Sequence, residues 1–221
     1  MPEETLTFHQ AFYERPHRLS IKFPHYLPLY EQFLKPFQGH PVGALEIGIG
    51  TGGFLQVLQS YLGPQAQVYG LDASTENAPA ELGEILLLTG RQEDPVMLDM
   101  VKSLAPNLSI IIDDGSHLPA DQIASFEALY PHLRSPGVYM IEDTQLSYAP
   151  KHGGYKRAGT FIEYVKDRID DINAYFSEPS DPEPTTFTKT TAGIHVYLNC
   201  IVIEKGAVDS RSPVWVEVAG S

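Results

Sequence analysis

From Val42 to Lys205 the chain alternates short apolar runs, VGALEI, QVYGLD, EILLLT, LSIIID and VYMIED, with longer amphipathic segments. That rhythm marks a parallel sheet whose strands are joined by crossover helices. Helices are expected over 53–62, 95–103, 120–133 and 160–176, the last because Phe161, Tyr164, Val165, Ile169 and Ile172 recur at helical spacing. Residues 177–192, SEPSDPEPTTFTKTTA, read as an exposed loop. Two apolar runs, GIHVYL and CIVIEK, follow almost without a break and read as an antiparallel hairpin. The expected fold is thus α/β, a doubly wound, Rossmann-like sheet of seven strands with an antiparallel terminal hairpin.

A length of 221 residues suits one such domain. It is read as a cap over 1–41 containing one amphipathic helix near 27–37, a core over 42–206 and a tail over 207–221. The early acids and the lack of an apolar h-region argue against a secretory signal, so the expected location is cytoplasmic. No apolar run is long enough to cross a bilayer. Lys and Arg total 15 against 28 Asp and Glu, a formal charge of -13 that opposes attraction to nucleic acid. Cys200 is the single cysteine and sits in the apolar LNCIVIE, where a thiol is packing.

Chemistry enters at the carboxyl ends of the strands, where open α/β sheets bind ligands. ALEIGIGTGG closes the first strand, and Gly48, Gly50 and Gly53 satisfy the dinucleotide fingerprint G-x-G-x-x-G. The glycines, Gly52 included, let a ligand approach the backbone. Asp72 closes the second strand, where a carboxylate accepts hydrogen bonds from ribose hydroxyls. LTGRQED follows the third strand, and Gln92 in it is a candidate cofactor contact. At this point a nicotinamide cofactor and an S-adenosylmethionine cofactor both remain open.

The fourth and fifth strands each deliver an acidic pair, Asp113 with Asp114 and Glu142 with Asp143, to one edge of the sheet. Neighbouring strands lie about 4.8 Å apart, so these acids converge. A hard cation such as Mg²⁺ or Mn²⁺ relieves their repulsion and keeps positions for other oxygens. Asp114, Glu142 and Asp143 are assigned as ligands, with Asp113 facing the cofactor or organising its loop. His117, three residues past Asp114, is the candidate general base.

Two further features separate the cofactors. Glu46, two residues before Gly48, forms an E-x-G-x-G arrangement that resembles motif I of class I methyltransferases, a resemblance that implies Glu46 near the cofactor's amino-acid part and Gln92 near its adenine. Those enzymes also insert an antiparallel seventh strand between the fifth and sixth, whereas dinucleotide-binding domains generally continue with parallel strands. LEIGIGTGG, IDDGSH, IEDTQLSY, FIEYVKDRIDDINA and GIHVYLNCIVIEKG together resemble the metal-dependent sugar O-methyltransferases of macrolide biosynthesis, of the mycinamicin VI and demethylmacrocin type, and their cephalosporin hydroxylase-like relatives, over about residues 42–206. The resemblance implies Mg²⁺ ligands at Asp114, Glu142 and Asp143 and His117 as base. It also implies S-adenosylmethionine as methyl donor and a small-molecule hydroxyl, on a sugar or glycosylated natural product, as acceptor. The macrolide enzymes carry an additional N-terminal domain that does not fit in this length. Relatives often show Thr-Asp-Lys where this chain reads RLSIKFPHYLPLYEQF, and Lys22, His25, Tyr26 and Tyr30 are the candidates there for a lid over the cofactor. An NAD(P)-dependent oxidoreductase and a non-catalytic cofactor-binding protein are the rival readings. The oligomeric state stays open, a homo-oligomer included.

Overall fold

The computed structural model describes residues 6–15, 17–78, 82–177 and 183–208. Seven strands form one sheet: β1 (Gly43–Ile47), β2 (Gln67–Asp72), β3 (Leu86–Thr89), β4 (Leu108–Asp113), β5 (Gly137–Ile141), β6 (Thr191–Tyr197) and β7 (Cys200–Lys205). Their order is β3-β2-β1-β4-β5-β7-β6, with β1 to β5 parallel and β7 antiparallel to both β5 and β6. The closing hairpin therefore lies as expected, with its second strand inserted beside β5.

Helices cover both faces, so β1, β4 and β5 are buried along their whole length. On one face α1 (Phe8–Tyr13), α2 (Leu27–Leu34) and α3 (Gly53–Leu62) pack Phe8, Tyr30, Phe33, Phe54 and Tyr61 against Ile110, Ile112 and Val202. On the other, α4 (Pro95–Leu104), α5 (Pro119–Leu129) and α6 (Phe161–Ile172) pack Leu98, Phe126, Phe161 and Val165 against Leu45, Ile111 and Tyr139. Asp94 caps α4 by accepting from Val96 N at 2.9 Å, with Pro95 at the first helical position.

The N-terminal segment contains α1 as well as the expected α2, because Thr7 and Gln10 form a capping box around a helix too short to show periodicity. The expected loop over 177–192 contains α7 (Thr186–Thr190), nucleated by a second capping box at Thr185. Most of the expected tail, from residue 209 onward, lies outside the described residues. Among the described residues no helix is long and apolar enough to cross a membrane.

Candidate active site

The parallel ladder brings the chemistry together. Ile47 pairs with Asp113 and Asp113 with Ile141, so Gly48, Asp114 and Glu142 leave three adjacent strand ends side by side. Asp114 N donates to Ile47 O and Glu142 N to Asp113 O, each at 2.9 Å, which carries the pairing one residue past the strands.

The glycine-rich turn makes close contact with this edge. Gly48 has φ 85°, and a Cβ there would lie 2.1 Å from the Asp114 carbonyl oxygen. Gly52, at φ 80°, starts α3 in the left-handed region. Asp72 Oδ2 accepts from Ile49 N at 2.8 Å and Gly50 N at 3.3 Å, while Oδ1 accepts from Ser74 N at 3.0 Å. A cleft of about 470 Å³ opens here, walled by Gly48, Gly50, Asp72, Gln92, Asp114 and His117. A smaller recess of about 170 Å³ continues it past Ser20, Lys22, Glu46 and Phe54.

The recess has the polarity needed for an α-amino acid group. Glu46 Oε2 and Ser20 Oγ are buried without a hydrogen-bond partner, one an acceptor for an ammonium and the other a donor for a carboxylate. Burial pushes the Glu46 carboxyl up to about 8, against the opposing pull of the Lys22 ammonium. Of two residues expected at the cofactor, Asp113 takes the loop-organising one of its two expected roles and Gln92 is engaged within the protein. Asp113 is fully buried and absent from the cleft wall; it accepts from Gln92 Nε2, Ser125 Oγ and Gly115 N and organises the loop. Burial pushes its carboxyl up to about 6. Gln92 lines the cleft, but its amide is spent: Nε2 donates to Asp113 and Ser125, and Oε1 accepts from Ser116 N at 2.7 Å. It ties the loop after β3 to the loop after β4.

Beyond Asp114 lies a third cavity, of about 310 Å³, lined by Ile21, Phe23, Pro24, Tyr26, Glu142 and Asp143. Asp114 borders all three cavities and is their common wall. At that wall Asp114, His117 and Asp143 each present a ligand atom within 4.8 Å of the others. His117 and Asp143 reach this arrangement through left-handed backbone, φ 55° and 53°, which non-glycine residues rarely adopt. His117 Nδ1 is buried without a partner. The two carboxylates so arranged suit a hard divalent ion, with the imidazole beside them.

Glu142 differs from the expectation. Its Oε1 accepts from the Tyr30 hydroxyl and its Oε2 from Lys22 Nζ at 3.1 Å, so both oxygens are engaged one layer beneath the Asp114–His117–Asp143 group. Burial raises its pKa against the pull of Lys22. The residues expected in a lid likewise face the acids: Tyr26 Oη donates to Asp143 Oδ1 at 3.1 Å, and Tyr30 reaches Glu142. His25 instead packs its Nε2 3.1 Å from the carbonyl of Leu198. Ser20 was not singled out in the sequence, and Lys22 and Tyr30, expected only in a lid, turn out to face acids 92 to 120 positions away along the chain.

The antiparallel β7 beside β5 and the E-x-G-x-G turn over the cleft decide the family of folds. The chain has the class I methyltransferase fold. No protein-family model matches it. It is 35% identical over 205 residues to the mycinamicin VI 2''-O-methyltransferase of Micromonospora griseorubida, covering 86% of this chain and 51% of that protein. It is 33% identical over 205 residues to the demethylmacrocin O-methyltransferase of Streptomyces fradiae, with the same coverage of 86% and 51%. The mycinamycin-pathway methyltransferase MycE, solved with Mg, S-adenosylhomocysteine and mycinamycin VI, superposes with a TM-score of 0.79 at 32% identity, over 98% of this chain and 57% of that one. The chain thus spans about half the length of the curated relatives it matches. This methyltransferase fold is a relative of natural-product sugar O-methyltransferases.

Proposed function

We propose that the protein is an S-adenosylmethionine-dependent, divalent-metal-assisted O-methyltransferase acting on a sugar hydroxyl of a glycosylated natural product. The observation that carries this reading is the position of Asp114, which separates the glycine-lined cleft from the cavity holding Asp143 and Glu142. A methyl donor on one side and a hydroxyl on the other would meet at the Asp114–His117–Asp143 group.

In this reading Gly48, Gly50, Gly52 and Asp72 cradle the nucleoside, and Glu46 with Ser20 takes the amino-acid end. Gln92 and Asp113 shape the cleft floor from beneath. Asp114 and Asp143 would hold the ion, with Glu142 on its flank and the His117 imidazole left free as the base. When bound, the sulfonium cofactor supplies an electrophilic methyl group, and Mg²⁺ or Mn²⁺ supplies Lewis-acid polarisation of the acceptor. His117 would take the proton of the acceptor hydroxyl during methyl transfer. Phe23, 44% exposed, and Ile21, 81% exposed, give the acceptor cavity an apolar rim suited to an aglycone.

The test is methyl transfer from labelled S-adenosylmethionine to deoxysugar-bearing polyketides, with and without a chelator. Product bearing one added methyl on a sugar oxygen, lost on chelation and restored by Mg²⁺, is the expected result. Turnover unaffected by chelation, or reduction of NAD(P) instead, would overturn it.

A further inference from the structure

Lys22 is the cation of this site, and it comes from outside the strand ends that supply the acids. Its Nζ lies 2.6 Å from Asp114 Oδ2, 3.1 Å from Glu142 Oε2 and 3.4 Å from Glu46 Oε1, and 4.1 Å from the centroid of the Phe54 ring. The side chain is only 3% exposed. An ammonium has three donors, and here each faces a different carboxylate. Burial lowers its pKa, but the charges of Glu142, Glu46 and Asp114 outweigh that and hold it above the usual lysine range. On the acceptor side Tyr26 faces Asp143, and His117 Nε2 stands 3.9 Å from Asp114 Oδ1 and 3.7 Å from Asp143 Oδ2.

The segment that carries Lys22 has no regular secondary structure, yet it is tied down next to the glycine turn. Thr51 Oγ1 donates to Leu19 O at 2.5 Å, Arg18 Nε to Thr51 O at 3.0 Å, and Arg18 N donates to Gln56 Oε1 at 2.9 Å. Gly53 permits this approach, since a Cβ there would lie 2.5 Å from the carbonyl oxygens of Arg18 and Leu19. The ammonium is therefore delivered to the acids at a fixed position and leaves only one oxygen of Asp114 outside its reach.

We propose that Lys22 is the internal counter-cation of the acid cluster: a positioning residue that orients Asp114 and Glu142 and competes with the divalent ion for their oxygens. This rests on the metal-assisted reading above. Its consequence is opposite to that of an ordinary supporting residue. Losing a support weakens ion binding, whereas losing Lys22 strengthens it, because Glu142 and the second oxygen of Asp114 are released and a nearby positive charge is gone. The gain comes with a loss of orientation, so turnover at saturating metal falls while the metal concentration for half-maximal turnover also falls.

The experiment is a calorimetric Mn²⁺ titration of the cofactor-free protein, which needs no acceptor. Lys22→Met is expected to bind Mn²⁺ about tenfold or more tightly than the wild type, and Lys22→Arg, which keeps the charge, within about threefold of it. Phe54→Leu removes the ring on which the ammonium rests and keeps the lysine; it is expected to fall between the two, and it decides the matter if Lys22→Met does not melt cooperatively. A folded Lys22→Met whose Mn²⁺ affinity equals or falls below that of the wild type overturns the role of Lys22 while leaving the metal site standing. Absence of Mn²⁺ binding in wild type and variants alike overturns the metal reading and this proposal with it.

Discussion

His117 Nε2 stands 3.7 Å from Asp143 Oδ2, each residue held in left-handed backbone on a different loop, after β4 and after β5. Strain at two non-glycine positions that face each other costs of order 1–3 kcal/mol each and persists where the surrounding structure over-determines it. Here the strand ladder beneath and the Tyr26 hydroxyl beside Asp143 supply that constraint.

The relationship makes a prediction for His117. Asparagine tolerates left-handed backbone better than alanine, so His117→Asn removes the imidazole with little added strain. Turnover should fall by about 10² to 10⁴ if the imidazole accepts the acceptor's proton, with cofactor affinity nearly unchanged. A variant that instead loses cofactor binding or cooperative melting would make the histidine a structural residue.

Asp143→Asn and Asp114→Asn keep side-chain shape and remove ligand charge. Each should raise the Mg²⁺ concentration needed for half-maximal activity far more than it alters cofactor affinity. Glu142→Gln should do so less, since both oxygens of Glu142 are engaged by Tyr30 and Lys22. Equal effects from all three, measured by metal titration of turnover, would place Glu142 in direct contact with the ion.

Asp72 receives two backbone donors from the glycine turn, so its removal loosens the cradle itself. Asp72→Ala should weaken S-adenosylhomocysteine binding in a calorimetric titration by about tenfold or more, as loss of charge-assisted hydrogen bonds worth about 1.5–3 kcal/mol implies. NAD and NADP should give no thermal stabilisation of the wild type, whereas S-adenosylhomocysteine should. Unchanged affinity in the variant would remove Asp72 from the binding surface.

The Glu46 carboxyl, pushed up to about 8 from an ordinary 4.5, makes a prediction about pH. A carboxyl with a raised folded-state pKa binds its proton more tightly folded than unfolded. Its stabilising contribution is full below the unfolded value and is lost as pH rises through the folded one. Between those values the loss is at most about 1.4 kcal/mol per pH unit. Thermal melts of the apoprotein should therefore decline from pH 5.5 to 8 more steeply, by about that slope at most, than those of Glu46→Gln. Parallel curves for the two proteins would mean that Glu46 is already ionised in the folded state.

The sequence alone determined the sheet and its contents. Five apolar runs and a closing hairpin are enough to specify strands, because a strand buried on both faces must be largely apolar, and β1, β4 and β5 are buried along their whole length. Gly48, Asp72, Asp114 and Asp143 were legible for a related reason: they lie at, or within two residues of, the carboxyl ends of parallel strands, and a parallel ladder places successive strand ends on one edge. The short helices α1 and α7 were not legible, since each is held by a capping box and neighbouring packing rather than by a periodic face.

Only the tertiary structure decided what each carboxylate is for. Asp113 and Asp114 are neighbours in sequence, yet the pleat sends one into the core, where Gln92 and Ser125 hold it, and the other to the common wall of three cavities. Lys22, Tyr26 and Tyr30 acquire their roles by packing an N-terminal segment against acids more than ninety residues away. No local pattern encodes such contacts, because charge compensation in a buried site depends on distance through space and the pattern along the chain records only distance through bonds.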